Sequence, residues 1–221
     1  MRPPSHPQSH LQHPLSRILG NEASVRLLRV LATRGLPLSV SQLEKECGLS
    51  ARGTRLALEN LIRSQVVSQL GAARSRLYCM DSRHPLTVAI TNLFQDEMQH
   101  WNSMLSSVRE ALKVQQVTAA WYYGSVARGE DTPASDFDLA IIVADDAAVE
   151  NVTESVRLAL QAIEDHHQVR CSVVGLSDAD VLRMSEGSDP FWENMIRDAK
   201  VLDGPRPEQY ATRLQRRRKD G

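Results

Sequence analysis

The stretch that decides the fold is Gly124–Leu139, GSVARGEDTPASDFDL. It pairs a small flexible turn with two aspartates separated by one residue. The apolar run TAAWYY before it and FDLAIIV at its end read as strands, so the turn and the Asp-x-Asp pair sit at adjoining strand ends. Along an extended segment, side chains i and i+2 point to the same side, which brings the carboxylates of Asp136 and Asp138 together. Two neighbouring carboxylates repel each other, and the usual remedy is a divalent cation. Hard carboxylate oxygens suit Mg²⁺, which keeps positions open for phosphate oxygens and water. At the turn, Gly124 lets the backbone approach a ligand closely, the Ser125 hydroxyl can donate to a phosphate, and the following N–H groups can face an anion.

Working outward, strands alternate with helical patterns: DFDLAIIV, a helix at 147–166, VRCSVVGL, then helices near 178–186 and 190–200. Such an order predicts an α+β domain with a mixed sheet covered by helices. Gly-Ser after one strand and Asp-x-Asp on the next resembles the minimal nucleotidyltransferases of the DNA polymerase β superfamily. The motifs GSVARGE and SDFDL carry the likeness, and DPFWENMIRDAKVLDG looks like the closing helix and strand of the same domain. The resemblance implies that Gly124 and Ser125 hold an NTP triphosphate and that Asp136 and Asp138 are catalytic Mg²⁺ ligands. A nucleoside monophosphate would then pass to a hydroxyl. Arg128 has two readings: it neutralises phosphate charge, or it pairs with Asp136, Asp131 or Glu130 and holds the turn. Superfamily members commonly add a third carboxylate on a later strand, where it helps ligate a second metal and activate the attacking hydroxyl. Here that strand reads QVRCSVVGL, Arg170, Ser172 and Val174 share a face, and Ser172 aligns with the missing acid. Glu164, Asp165 and Asp178 flank the strand and are the nearest substitutes.

Upstream, apolar positions at helical spacing predict a helix over 17–34, stopped by Gly35. A second helix through SQLEKEC is capped by Ser39 or Ser41, and a third through ARGTRLALENL by Ser50. VVSQL and RLYCM around GAARS then read as a hairpin. This order resembles a winged helix-turn-helix domain over 17–84, with the third helix in the major groove of duplex DNA and the hairpin as its wing. Arg52, Thr54 and Arg55 on that helix, and Arg74 and Arg76 at the hairpin tip, are the expected DNA-binding residues. A domain that packs or dimerises without DNA is the alternative.

Between the modules, Ile90, Phe94, Met98, Trp101, Leu105, Val108 and Leu112 alternate steps of four and three, predicting a linking helix over 85–114 with a buried seam, packed on its own chain or in a homodimer. Residues 1–16 are expected to be a disordered tail, 115–204 the transferase domain, and 205–221 a disordered basic tail.

The net charge of −1 conceals an asymmetry: +7 over residues 1–80, −11 over 81–202 and +3 over 203–221. A basic module suits a polyanion, and an acidic one suits a metal-borne substrate. No apolar run approaches the ~20 residues that cross a bilayer, and the first residues lack a secretory pattern, so a cytoplasmic protein without membrane partners is expected. Cys47, Cys79 and Cys171 have no metal-ligand spacing and read as buried thiols. Two functions remain open. One is a Mg²⁺-dependent nucleotidyltransferase acting on an unknown acceptor, a protein among the candidates. The other is a catalytically weak or inactive transcriptional regulator, or an antitoxin-like protein with a toxin partner, that binds DNA through one module and nucleotide through the other.

Overall fold

Helix caps and apolar spacing account for most of the elements in the computed structural model, which describes residues 14–72, 75–113 and 115–220. The chain divides into two compact units, residues 1–100 and 101–221.

In the first unit, the helix expected over 17–34 is broken. A short α1 (Leu15–Ile18) precedes α2 (Glu22–Arg34), because Asn21 takes an extended conformation and its side chain accepts the Ser24 N–H at 2.8 Å. Part of the expected N-terminal tail is therefore helical, and Ile18 is fully buried in the core. Residues 1–13 lie outside the described residues. A two-residue strand, β1 (Leu38–Ser39), leads into α3 (Val40–Cys47), and Ser39 rather than Ser41 caps it, in a reciprocal box with Gln42. Ser50 caps α4 (Ala51–Arg63) as expected. The strands β2 (Val67–Leu70) and β3 (Leu77–Met80) form an antiparallel sheet with β1, in the order β1-β3-β2. Leu27, Leu28 and Leu31 of α2, Leu43 of α3 and Ala57, Leu58 and Leu61 of α4 fill one core over this sheet.

The long helix α5 (Thr87–Lys113) serves two cores rather than one seam. Ile90 and Phe94 belong to the first, whereas Met104, Leu105, Val108 and Leu112 belong to the second. Met98 lies between them, 46% exposed, so the predicted apolar stripe is not buried along its whole length.

In the second unit, β4 (Ala119–Tyr123), β5 (Phe137–Val143), β6 (Cys171–Ser177) and β7 (Lys200–Asp203) form a mixed sheet in the order β6-β5-β4-β7. β5 pairs antiparallel to β4 and parallel to β6. Alternation along β5 splits the core between the two faces of the sheet. Phe137, Leu139, Ile141 and Val143 pack with the C-terminal half of α5 and with α7 (Val149–His167). Ala140 and Ile142 pack with α8 (Asp178–Glu186), α9 (Pro190–Asp198) and α10 (Pro207–Asp220). Gly175 sits where a Cβ would overlap the Thr153 hydroxyl, so a glycine there lets α7 lie directly on β6.

The expected disordered tail is in fact α10. Tyr210, Ala211 and Leu214 recur at helical spacing and are buried, and the Tyr210 hydroxyl lies 2.7 Å from both Thr118 Oγ1 and Asp178 Oδ1. Basic composition masked this apolar face. Among the described residues, no helix is long and apolar enough to cross a membrane.

Candidate active site

Gly124 opens a one-turn helix, α6 (Gly124–Arg128), directly after β4. Its φ of +73° lies in the region L side chains avoid, and a Cβ on it would overlap Asp138 Oδ2. Register explains the approach, because Tyr123 is paired with Asp138 across β4 and β5. The turn and the Asp-x-Asp segment, apart in sequence, thus meet at one end of the central strand pair. Ser125, beside Gly124, is half-buried, and among the described residues its hydroxyl makes no hydrogen bond. Ser135 closes the preceding turn by accepting the Thr132 N–H at 3.0 Å.

The two aspartates differ in surroundings. Burial pushes the Asp138 carboxyl above the usual carboxylate range, the Asp136 charge adds to that, and the Arg128 charge opposes it. Asp136 Oδ1 is buried and receives no hydrogen bond. Arg170 Nε lies 3.0 Å from that oxygen but off the hydrogen-bonding direction, so the contact is one of charge. A buried, unbonded carboxylate oxygen beside a second, mutually repelling carboxylate fits a hard divalent cation.

Arg128 pairs with neither Asp136 nor Asp131. Its Nε donates to Glu130 at 2.8 Å, and its Nη1 reaches Asp198 Oδ2 at 3.4 Å. Asp198, at the end of α9, also takes Arg197 through two bonds of 2.9 and 3.0 Å, and these guanidinium contacts hold its carboxyl below the ordinary range. Sequence reading missed Asp198, because nothing in the spacing links α6 to the end of α9.

Ser172 stands opposite Asp138 in the parallel β5–β6 register, where the alignment placed the missing acid. Two of the three flanking acids are engaged elsewhere: Glu164 accepts the Cys171 N–H at 2.6 Å, and Asp178 accepts the Tyr210 hydroxyl at 2.7 Å. Among the described residues, no three His, Cys, Asp or Glu side chains gather as a metal site. Asp136 and Asp138 are the two carboxylates this end of the strand pair offers toward a cation. Burial pushes the Cys171 thiol, next to Ser172, up to about 11, leaving it protonated near neutral pH.

Of the expected DNA-binding residues, Arg52 and Arg55 are exposed on α4, and Arg76 is exposed just before β3. Thr54 is a correction: it is fully buried on the inner face of α4, and its hydroxyl donates to Ser50 O at 3.1 Å. Arg74 lies outside the described residues. Arg55 and Arg76 line a groove of about 650 Å³ with Glu44, Glu59 and Tyr78.

This arrangement defines a nucleotidyltransferase-like domain, and comparison agrees: residues 107–204 match the family model Polymerase beta, Nucleotidyltransferase. No curated protein matches the chain. A solved structure described as a toxin-antitoxin with AMP-PNP is 17% identical over 52% of this chain and 87% of its own, with a TM-score of 0.34. A mutant of the toxin-antitoxin MntA-HpeT is 15% identical over the same shares, also with a TM-score of 0.34. Scores this low constrain neither partner nor substrate.

Proposed function

We propose that the second unit transfers a nucleoside monophosphate from an NTP to an acceptor hydroxyl, and that the first unit acts as a winged helix-turn-helix that binds duplex DNA. The observation that carries the transferase reading is the Asp138 carboxylate seated against the Gly124 Cα, with Asp136 beside it. Asp136 and Asp138 would hold a Mg²⁺ ion that, when bound, bridges protein and phosphate charge. Gly124 and Ser125 approach the triphosphate, and Arg128, oriented by Glu130 and Asp198, lends positive charge beside it. The acceptor oxygen forms a bond to the α-phosphorus, the bond from that phosphorus to the bridging oxygen breaks, and pyrophosphate leaves. The acceptor proton passes to water, because Ser172 stands where a carboxylate base is expected. General-base assistance is worth ~10²–10⁴-fold, so turnover is slow.

The same serine favours a second reading. A site that binds nucleotide with little or no turnover fits a DNA-binding regulator or an antitoxin-like protein that masks a toxin. Supplying each labelled NTP with Mg²⁺ and cell lysate separates the two readings. Label transferred by the wild type and lost in Asp136→Ala/Asp138→Ala supports the enzyme. Mg²⁺-dependent nucleotide binding without transfer supports the regulator, and no binding overturns both.

A further inference from the structure

Across β5 and β6 the site presents two rows of side chains, and only one of them is acidic. Asp138 stands opposite Ser172. The Phe137 N–H donates to Arg170 O at 2.7 Å, carrying the pairing one step further and setting Asp136 beside Arg170. The guanidinium is fixed on both sides, with Nε 3.0 Å from Asp136 Oδ1 and Nη2 donating to Ala134 O at 2.9 Å. Its side chain is still 72% exposed, so a ligand can reach it.

We propose that Arg170 is a built-in cation standing in for a second divalent ion, so that the nucleotide site takes one metal ion per chain. This rests on the nucleotide reading given above. A second ion needs a further carboxylate and an unopposed charge on Asp136. The chain offers a serine hydroxyl for the first, and for the second a guanidinium already against that carboxylate. Loss of a ligand and gain of a like charge act in the same direction. An arginine stays charged at every working pH and presents a fork matched to phosphate oxygens, so it can supply positive charge without metal.

The test counts ions. The full chain, mixed with a non-hydrolysable NTP analogue, is titrated with Mn²⁺, and bound metal is read from the loss of the free-ion paramagnetic resonance signal. Wild type should hold one ion per nucleotide complex. Ser172→Asp should still hold one, because Arg170 pairs with the new carboxylate. Arg170→Ala/Ser172→Asp should hold two. Two ions in the wild type or in Ser172→Asp overturn the proposal, as does one ion in a double variant that still binds nucleotide. In case the double variant fails to fold, Arg170→Ala alone, without nucleotide, should bind Mn²⁺ up to about fivefold more tightly, as expected on releasing an exposed ion pair. Unchanged affinity there sinks the idea equally. Absence of nucleotide binding under any metal condition instead removes the nucleotide reading, and this inference with it.

Discussion

The Asp138 carboxylate occupies the space that a β-carbon on Gly124 would fill. The relationship couples a backbone conformation to a charged group. Gly124 has a φ of +73°, and any L side chain there carries both a conformational penalty of about 1–2 kcal/mol and an overlap with Oδ2. Gly124→Ala should therefore lower the stability of the second unit by roughly that amount and turn Asp138 away from Asp136. Denaturant unfolding followed by the fluorescence of Trp121 and Trp192, both buried in that unit, reads the first effect. Calorimetry with NTP and Mg²⁺ reads the second, and affinity should fall at least about tenfold, the equivalent of one interaction to a charged group. Wild-type affinity in this variant would show that the close approach plays no part in binding.

Tyr210 gives the second unit an alkaline limit. Burial, with the Asp178 carboxylate adding to it, pushes the Tyr210 hydroxyl up to about 12, while the Thr118 bond acts the other way. The folded state holds this proton more tightly than the unfolded chain, whose tyrosines titrate near the ordinary value of 10. The folded state therefore binds more protons between those two values. Stability from this group is complete below the lower value and is lost as pH rises through the upper one. Tyr210→Phe should remove that alkaline decline. It should also cost about 0.5–1.5 kcal/mol at neutral pH, because the part-buried hydrogen bonds to Asp178 Oδ1 and Thr118 Oγ1 are lost. Denaturant midpoints taken at pH 8 and pH 11 in both proteins check the slope and the offset, and parallel slopes would refute the assignment.

What could be read from the sequence was local, and what could not depended on partners far along the chain. Ser39 and Ser50 cap helices through hydrogen bonds from residues three positions on, so the signal and its effect share one short window. Asp136 and Asp138 were legible for the same reason, since alternation alone places them together. Thr54 was misread because a polar residue on the first turn of α4 looks surface-facing, whereas helical phase puts it with Ala57, Leu58 and Leu61. α10 was hidden because its basic residues outnumber the three apolar positions that dock it. Arg170 needed one fact that alternation does not supply, the register of β6 on β5. That register is a long-range property of packing.

If the first unit binds DNA through α4 and the following hairpin, the groove lined by Arg55 and Arg76 should respond to charge in both directions. Arg52→Ala and Arg55→Ala each remove an exposed cation and should weaken binding of duplex DNA. Where the lost contact reads a base edge, sequence preference should relax by about 1–3 kcal/mol at that position. Where it is a phosphate contact, binding should weaken for every sequence, and the slope of log affinity against log salt should become shallower by about 0.9 per contact. Glu44 and Glu59 line the same groove and oppose a polyanion, so Glu59→Gln should strengthen binding while leaving the fold unchanged. Thr54→Val should behave differently from all of these. Among the described residues its hydroxyl serves only Ser50 O, so the substitution should cost about 0.5–1.5 kcal/mol of stability and leave the affinity of the folded protein for DNA untouched. Gel shifts against a pool of genomic fragments at several salt concentrations, run on the full chain, measure each term. A first unit that retains no fragment at low salt, or in which Glu59→Gln and Arg55→Ala change affinity in the same direction, would exclude this groove as a DNA-binding surface.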